Sequence, residues 1–154
     1  MKKILITILC CLIMLPAFAT AWVQIDGTKY IDKDSIKYYK KDNGEYDFTK
    51  KSFWMKQIND GESEYFKNVS KVYKSNIEYV RTRWIIDTRR NKHTVKSSIY
   101  YDKNGNVINS YTIKDCYLEW DDVVPETTGE LWFKLVKNKR LLNKIYKNQP
   151  PQYN

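Results

Sequence analysis

Four of the five glycines in this chain directly follow Asp or Asn: Asp26-Gly27, Asn43-Gly44, Asp60-Gly61 and Asn104-Gly105. Such dipeptides tolerate the positive φ angles that tight hairpin turns demand. A chain punctuated in this way is committed to antiparallel strands over much of its length. Trp22-Val23-Gln24-Ile25 and Thr28-Lys29-Tyr30-Ile31 flank the first dipeptide and predict a short hairpin. Ser97-Ser98-Ile99-Tyr100-Tyr101 and Val107-Ile108-Asn109-Ser110-Tyr111 flank the last and predict another. Asn43-Gly44 opens a longer aromatic strand, Tyr46 to Ile58, and Asp60-Gly61 leaves it.

Hydrophobic period places the remaining elements. Between Glu62 and Asn76 the apolar residues Tyr65, Phe66, Val69, Val72 and Tyr73 recur at spacings of three and four, which suits a helix. From Ile77 to Thr88 the period becomes two. Val80, Thr82, Trp84 and Ile86 then share one face of a strand, with Arg81, Arg83 and Asp87 on the other. In His93–Tyr101, Val95, Ser97, Ile99 and Tyr101 are expected on one side. Thr127, three residues before Glu130, predicts a capping box. A single helix is expected from there to about Lys147, with Leu131, Leu135, Leu142 and Ile145 as its apolar stripe and Trp132 and Val136 beside them. Its six cations, Lys134, Lys137, Lys139, Arg140, Lys144 and Lys147, are expected to stand unrelieved by acid. The fold class is α+β: an antiparallel sheet of about six strands, a meander with Asx-Gly hairpins, packed by a middle helix and a C-terminal helix.

The N-terminus reads as an address. Lys2 and Lys3 precede an uncharged run from Ile4 to Phe18, and Ala19-Thr20-Ala21 supplies an A-x-A cleavage site. That pattern describes a secretory signal peptide over residues 1–21. The run is short for a bilayer span, and Pro16 interrupts it. A single domain over 22–147 and a disordered tail over 148–154 complete the organisation. Export implies a periplasmic, cell-surface or secreted protein. Cleavage removes Cys10 and Cys11, leaving Cys116, which is expected to be a buried small hydrophobe at a strand end.

The residues argue against catalysis. His93 is the lone histidine, and nothing in the sequence brings it to Cys116 to form a nucleophile–base pair. The carboxylates of Glu119-Trp120-Asp121-Asp122 lack the spacing and the Gly of a calcium loop and read as a solvated loop. A phosphate-cradling G-x-x-x-x-G-K motif is absent. No catalytic, cofactor-binding or metal-ligating residue is assigned, and no cofactor is expected.

Charge is the remaining clue. The chain holds 27 Lys and Arg against 18 Asp and Glu, a net +9, and loss of Lys2 and Lys3 leaves +7. Arg81, Arg83, Arg89 and Arg90 concentrate on one strand and its turn, and they are the candidate ligand-binding residues. Outside the cytoplasm such a surface meets acidic protein patches, acidic polysaccharide or anionic lipid rather than nucleic acid.

In order and spacing, several segments together resemble the surface-adhesin protein E family of exported bacterial domains. They are Trp22-Val23-Gln24-Ile25, Tyr30-Ile31-Asp32 with Asp34-Ser35-Ile36, and the aromatic pair Phe53-Trp54. Trp84-Ile85-Ile86-Asp87 follows, then Tyr100-Tyr101-Asp102 leading into Asn104-Gly105-Asn106-Val107-Ile108. Glu119-Trp120, Val123-Val124-Pro125 and Gly129-Glu130 close the pattern, so that the resemblance covers residues 22–137. It implies a small α+β domain, dimeric in some members, that binds host matrix or serum proteins such as vitronectin and laminin. Thr88 and Asn138 stand where family members often carry a disulfide, so that bridge cannot form here, and the chain lacks the lipidation motif of anchored relatives.

Three functional readings follow. The first is a non-enzymatic adhesin-type domain that binds through a basic, aromatic-rich surface. The second is a periplasmic structural or stress-related domain without a specific macromolecular ligand. The third is attachment to a membrane surface through the Leu131–Lys147 helix.

Overall fold

The computed structural model describes residues 21–149. The expected signal segment, apart from Ala21, and the end of the expected tail, residues 150–154, lie outside the described residues. The chain forms an antiparallel sheet ordered β1-β2-β4-β5-β6-β7. Its strands are β1 (Trp22–Asp26), β2 (Lys29–Asp32), β3 (Lys37–Lys40), β4 (Tyr46–Ile58), β5 (Tyr79–Asp87), β6 (Lys92–Tyr101), β7 (Val107–Thr112) and β8 (Asp121–Asp122). The helices are α1 (Glu64–Tyr73), α2 (Thr128–Lys137) and α3 (Lys139–Lys147). β4 is long enough to hold two short strands along one edge: β2 pairs with Met55–Gln57, and β3 pairs with the half from Tyr46 to Ser52.

Register sorts the side chains onto two faces. Phe53, Met55 and Gln57 of β4 stand opposite Trp84, Thr82 and Val80 of β5, and Met55 also stands opposite Ile31. This face carries the core. α2 and α3 cover one half of it, packing Trp132, Phe133, Leu135, Val136 and Leu142 against Val23, Ile31, Phe53, Met55 and Ile86. α1 covers the other half, where Phe66 meets Ile77, Val80 and Tyr100. Burial of side chains this size contributes about 1.5–3 kcal/mol each. The helices are therefore held mainly by their apolar sides, not by propensity.

Several local expectations are corrected. The C-terminal helix is broken at Asn138, whose extended backbone (φ −113°, ψ 84°) ends α2 while its side chain accepts from the Leu141 amide and starts α3. Leu135 and Leu142, one on each side of the break, both reach the core, whereas Leu131, expected in the same stripe, is exposed. Asn138→Ala is expected to cost about 1 kcal/mol, the usual value of an N-cap, read as a lower midpoint in thermal unfolding. The six cations of this region are not wholly unrelieved, because Lys134 Nζ pairs with Glu130 at 2.7 Å.

Cys116 is exposed in a 3₁₀ turn (Asp115–Tyr117), not buried at a strand end. Asp121 and Asp122 do not form a free loop: they pair with His93 and Lys92 as β8. Val95 does not share a face with Ser97, Ile99 and Tyr101. β6 carries one extra residue, Lys96, between Val95 (opposite Trp84) and Ser97 (opposite Arg83), and a bulge of this kind reverses the alternation. Other expectations hold: Thr127 Oγ1 accepts from the Glu130 amide at 3.3 Å, and Tyr46–Ile58 is one continuous strand. Gln149, in the segment expected to be a tail, donates from Nε2 to the Gln24 carbonyl at 2.6 Å and accepts the Gln24 amide at 3.0 Å.

The bulge gives Lys96 a special place. Its ammonium, only 4% exposed, donates to Asp42 Oδ1 at 2.8 Å and to Asp115 Oδ1 at 2.6 Å. The two aspartates also clasp each other, each accepting the other's backbone amide at 2.8 Å. Tyr39 donates its hydroxyl to Asp115. This cluster ties the β3–β4 turn, the bulge in β6 and the turn after β7 into one unit.

Candidate functional site

The helices pack their apolar residues on the first face; on the second, Ser52, Ile85, Asp87 and Thr94 are buried at one end, and the rest, towards Tyr79 and Tyr101, is the more open part. Cross-strand register places Trp22 and Gln24 of β1, Tyr30 and Asp32 of β2, and Ser52, Trp54 and Lys56 of β4 on this second face. Tyr79, Arg81 and Arg83 of β5, with Ser97, Ile99 and Tyr101 of β6, complete it. A sheet face turned away from the core is normally polar. This one has an aromatic floor with cations laid over it.

Arg81 is the centre. Its guanidinium carbon lies 5.3 Å from the centroid of the Tyr101 ring, 5.5 Å from Trp22 and 5.8 Å from Tyr79. Tyr79 and Tyr101 are a cross-strand pair stacked at 4.5 Å. Lys56, directly opposite Arg81, sits 5.1 Å above both the Trp22 and Tyr30 rings. The cations cover the indole so well that Trp22 is 5% exposed despite facing away from the core. Burial, with Arg81 adding to it, pushes the Lys56 ammonium below its usual range. Among the described residues neither Lys56 nor Arg81 has an ion-pair partner.

Two clefts open on this face and share Trp54 as a wall. The first, about 140 Å³, is lined by Trp22, Asp32, Trp54, Arg81, Ile99 and Tyr101. Burial pushes the Asp32 carboxyl up, against the pull of the Asp34 and Ser35 amides that it caps. The second, about 310 Å³, sets Lys37, Lys40 and Arg83 among Trp54, Tyr38 and Tyr46, with no carboxylate in its lining. Arg83 Nη2 donates to Ser52 Oγ at 3.4 Å. Tyr46, with Lys40 Nζ 5.8 Å above its ring, stacks on Phe48, which is 71% exposed.

The four arginines singled out in the sequence are thus divided. Arg81 and Arg83 lie on the open face. Arg89 and Arg90 lie on the β5–β6 turn, beyond Asp87, which is roughly 13 Å along the strand from Arg83 at about 3.3 Å per residue. There buried Asp87 accepts the Arg89 and Arg90 amides at 3.0 and 2.9 Å and Arg90 Nε at 2.8 Å. Arg90 also lies over Trp120. Strand alternation finds Arg81 and Arg83. The aromatic floor and Lys56 emerge only when β1, β2 and β4 are laid beside β5 in register.

His93 is wedged between the Trp84 and Trp132 rings at 5.3 and 5.2 Å, and burial lowers its pKa. Among the described residues no group of three His, Cys, Asp or Glu is placed to hold a metal ion, and no helix is long and apolar enough to cross a membrane.

No family model matches the chain, and no curated protein does. Solved structures of Haemophilus influenzae protein E do match. One, from a non-typeable strain, is 17% identical with a TM-score of 0.54, covering 87% of this chain and 93% of that one. A second is 15% identical with a TM-score of 0.50 over 78% of this chain and 89% of that one. A third is 14% identical with a TM-score of 0.50 over 85% and 90%. At these identities the likeness concerns the fold, and the fold is that of protein E, distantly.

Proposed function

We propose that this protein is an exported, non-enzymatic interaction domain of the adhesin type. In this reading it holds an acidic macromolecule, such as a host matrix or serum protein, against the open face of its sheet. The observation that carries the reading is the set of cations on an aromatic floor: Lys56, Arg81 and Arg83 stand on the face opposite the helix-packed core, without ion-pair partners among the described residues. Charged groups desolvated on one side gain more from an incoming anion than solvated surface lysines do. The sequence resemblance to the surface-adhesin protein E family and the structural likeness to protein E support the same reading. The N-terminal signal pattern supports export. Apart from exposed Leu131, the apolar stripe of α2 and α3 packs into the core, which disfavours membrane attachment through that region.

The test is a binding titration of purified protein on immobilised vitronectin, laminin and heparin at low and physiological salt. The reading predicts saturable binding to at least one matrix protein that persists at physiological salt, where exposed charges more than about 8 Å apart are largely screened. Weak binding to all three surfaces, lost together as salt rises, would contradict it and favour a periplasmic structural domain without a specific ligand.

A further inference from the structure

The smaller cleft has the character of a specificity pocket. Arg81 Nε is buried and has no hydrogen-bond acceptor among the described residues, so one edge of the guanidinium is sealed in the aromatic bed. Arg81 nonetheless lines the cleft, together with Trp22, Trp54 and Tyr101. A planar cation held among rings, with a second cation opposite on the next strand and no carboxylate within ion-pair distance of either among the described residues, favours a planar anion that accepts two parallel N–H bonds. We infer that this cleft receives the carboxylate of a single acidic side chain presented by a protein partner. Arg81 is the primary contact and Lys56 the supporting charge.

Two features narrow the choice of anion. Asp32 lines the same cleft, so a dianion such as phosphate brings its second charge against a carboxylate, whereas a monoanion is balanced by the cation pair. The volume, about 140 Å³, admits a side-chain terminus and falls below the roughly 300 Å³ at which pockets for larger ligands begin. That volume is small for a run of sugar rings, so a uronate chain is the poorer fit. The aromatic walls then exclude water from the ion pair, as around the central contacts of protein interfaces.

This inference rests on the adhesin-type reading and is tested separately from it. Purified protein is titrated with a short glutamate-containing peptide, its glutamine counterpart, a heparin oligosaccharide and inorganic phosphate, following tryptophan fluorescence. The glutamate peptide is expected to saturate the signal and the other three to leave it nearly flat. Arg81→Gln is expected to weaken the glutamate peptide roughly tenfold or more, and Arg81→Lys, which keeps charge but loses the fork, to weaken it by less. Lys56→Gln supplies an independent variant if Arg81→Gln unfolds, and is expected to weaken binding severalfold. Equal binding of the glutamine peptide, preference for heparin or phosphate, or unchanged affinity in a folded Arg81→Gln protein would overturn the inference. If matrix proteins bind but the glutamate peptide neither binds nor competes, the pocket assignment fails while the adhesin-type reading stands. If the peptide binds and no macromolecule does, the reverse holds.

Discussion

Lys96→Met is expected to destabilise the protein by about 3 kcal/mol, at the low end of the cost of breaking a buried ion pair. That corresponds to a fall of roughly 10 °C in Tm for a domain of this size. The Lys96 ammonium, 4% exposed, is the only cation paired with Asp42 and Asp115 among the described residues. Without it two clasped carboxylates face each other. Asp42 is 49% exposed, and its solvation moderates the loss.

The difference depends on pH in a specified way. Burial pushes the Asp115 carboxyl up, but the bonds from Lys96, Tyr39 and the Asp42 amide outweigh it and hold the carboxyl down at about 2, against an ordinary 3.8. A depressed carboxyl stabilises the fold above its unfolded pKa, and the contribution drains away as pH falls from about 4 towards 2. Burial lowers the Lys96 pKa, but its bonds to Asp115 and Asp42 win and raise it, so its contribution is intact below 10.5 and lost above. The gap between wild type and variant is therefore widest between pH 5 and 10 and narrows towards pH 2, as urea unfolding across that range will show.

Trp132→Ala carries a comparable cost, about 4 kcal/mol. Trp132 is 5% exposed and packs its ring at 5.6 Å from Phe53, 5.3 Å from Trp84 and 5.2 Å from His93. It is the point at which α2 meets both central strands and His93, so truncation opens a cavity that no single neighbour fills. It also uncovers His93, whose pKa burial now lowers. In the variant that pKa should rise towards 6.5, and an NMR titration of the one histidine reads it directly. An unchanged His93 titration would mean that the cavity collapses and stays dry.

Much of the fold was legible because it is local. The Asx-Gly dipeptides set the turns, and all four of those glycines adopt positive φ, from +34° at Gly27 to +89° at Gly44. Alternation along β5 placed Arg81 and Arg83 opposite Trp84 and Ile86. What escaped the sequence depends on contacts between distant segments. The Lys96 bulge is fixed by Asp42 and Asp115, 54 and 19 residues away, and nothing near Lys96 announces it. The break at Asn138 looks like an interruption of a single apolar stripe until both halves are seen to need the same core. Cys116 looked apolar by residue type, but its 3₁₀ turn is held by its neighbour Asp115, which leaves the thiol outside. The aromatic floor was hidden for a similar reason: Trp22, Tyr30, Trp54 and Tyr101 come from four strands, and only register unites them beneath Lys56 and Arg81.

The central claim is that binding belongs to the open face and not to net charge. Its most direct measurement compares two double reversals with the same change in charge. Arg81→Glu with Arg83→Glu alters the open face, whereas Lys137→Glu with Lys144→Glu alters exposed positions on α2 and α3. Affinity for the matrix protein that binds wild type best is measured at physiological salt, alongside a thermal melt of each variant. The account predicts a loss of at least about tenfold for the open-face pair and near wild-type binding for the helix pair. Equal losses in both variants would show that only total charge is sensed and would contradict it.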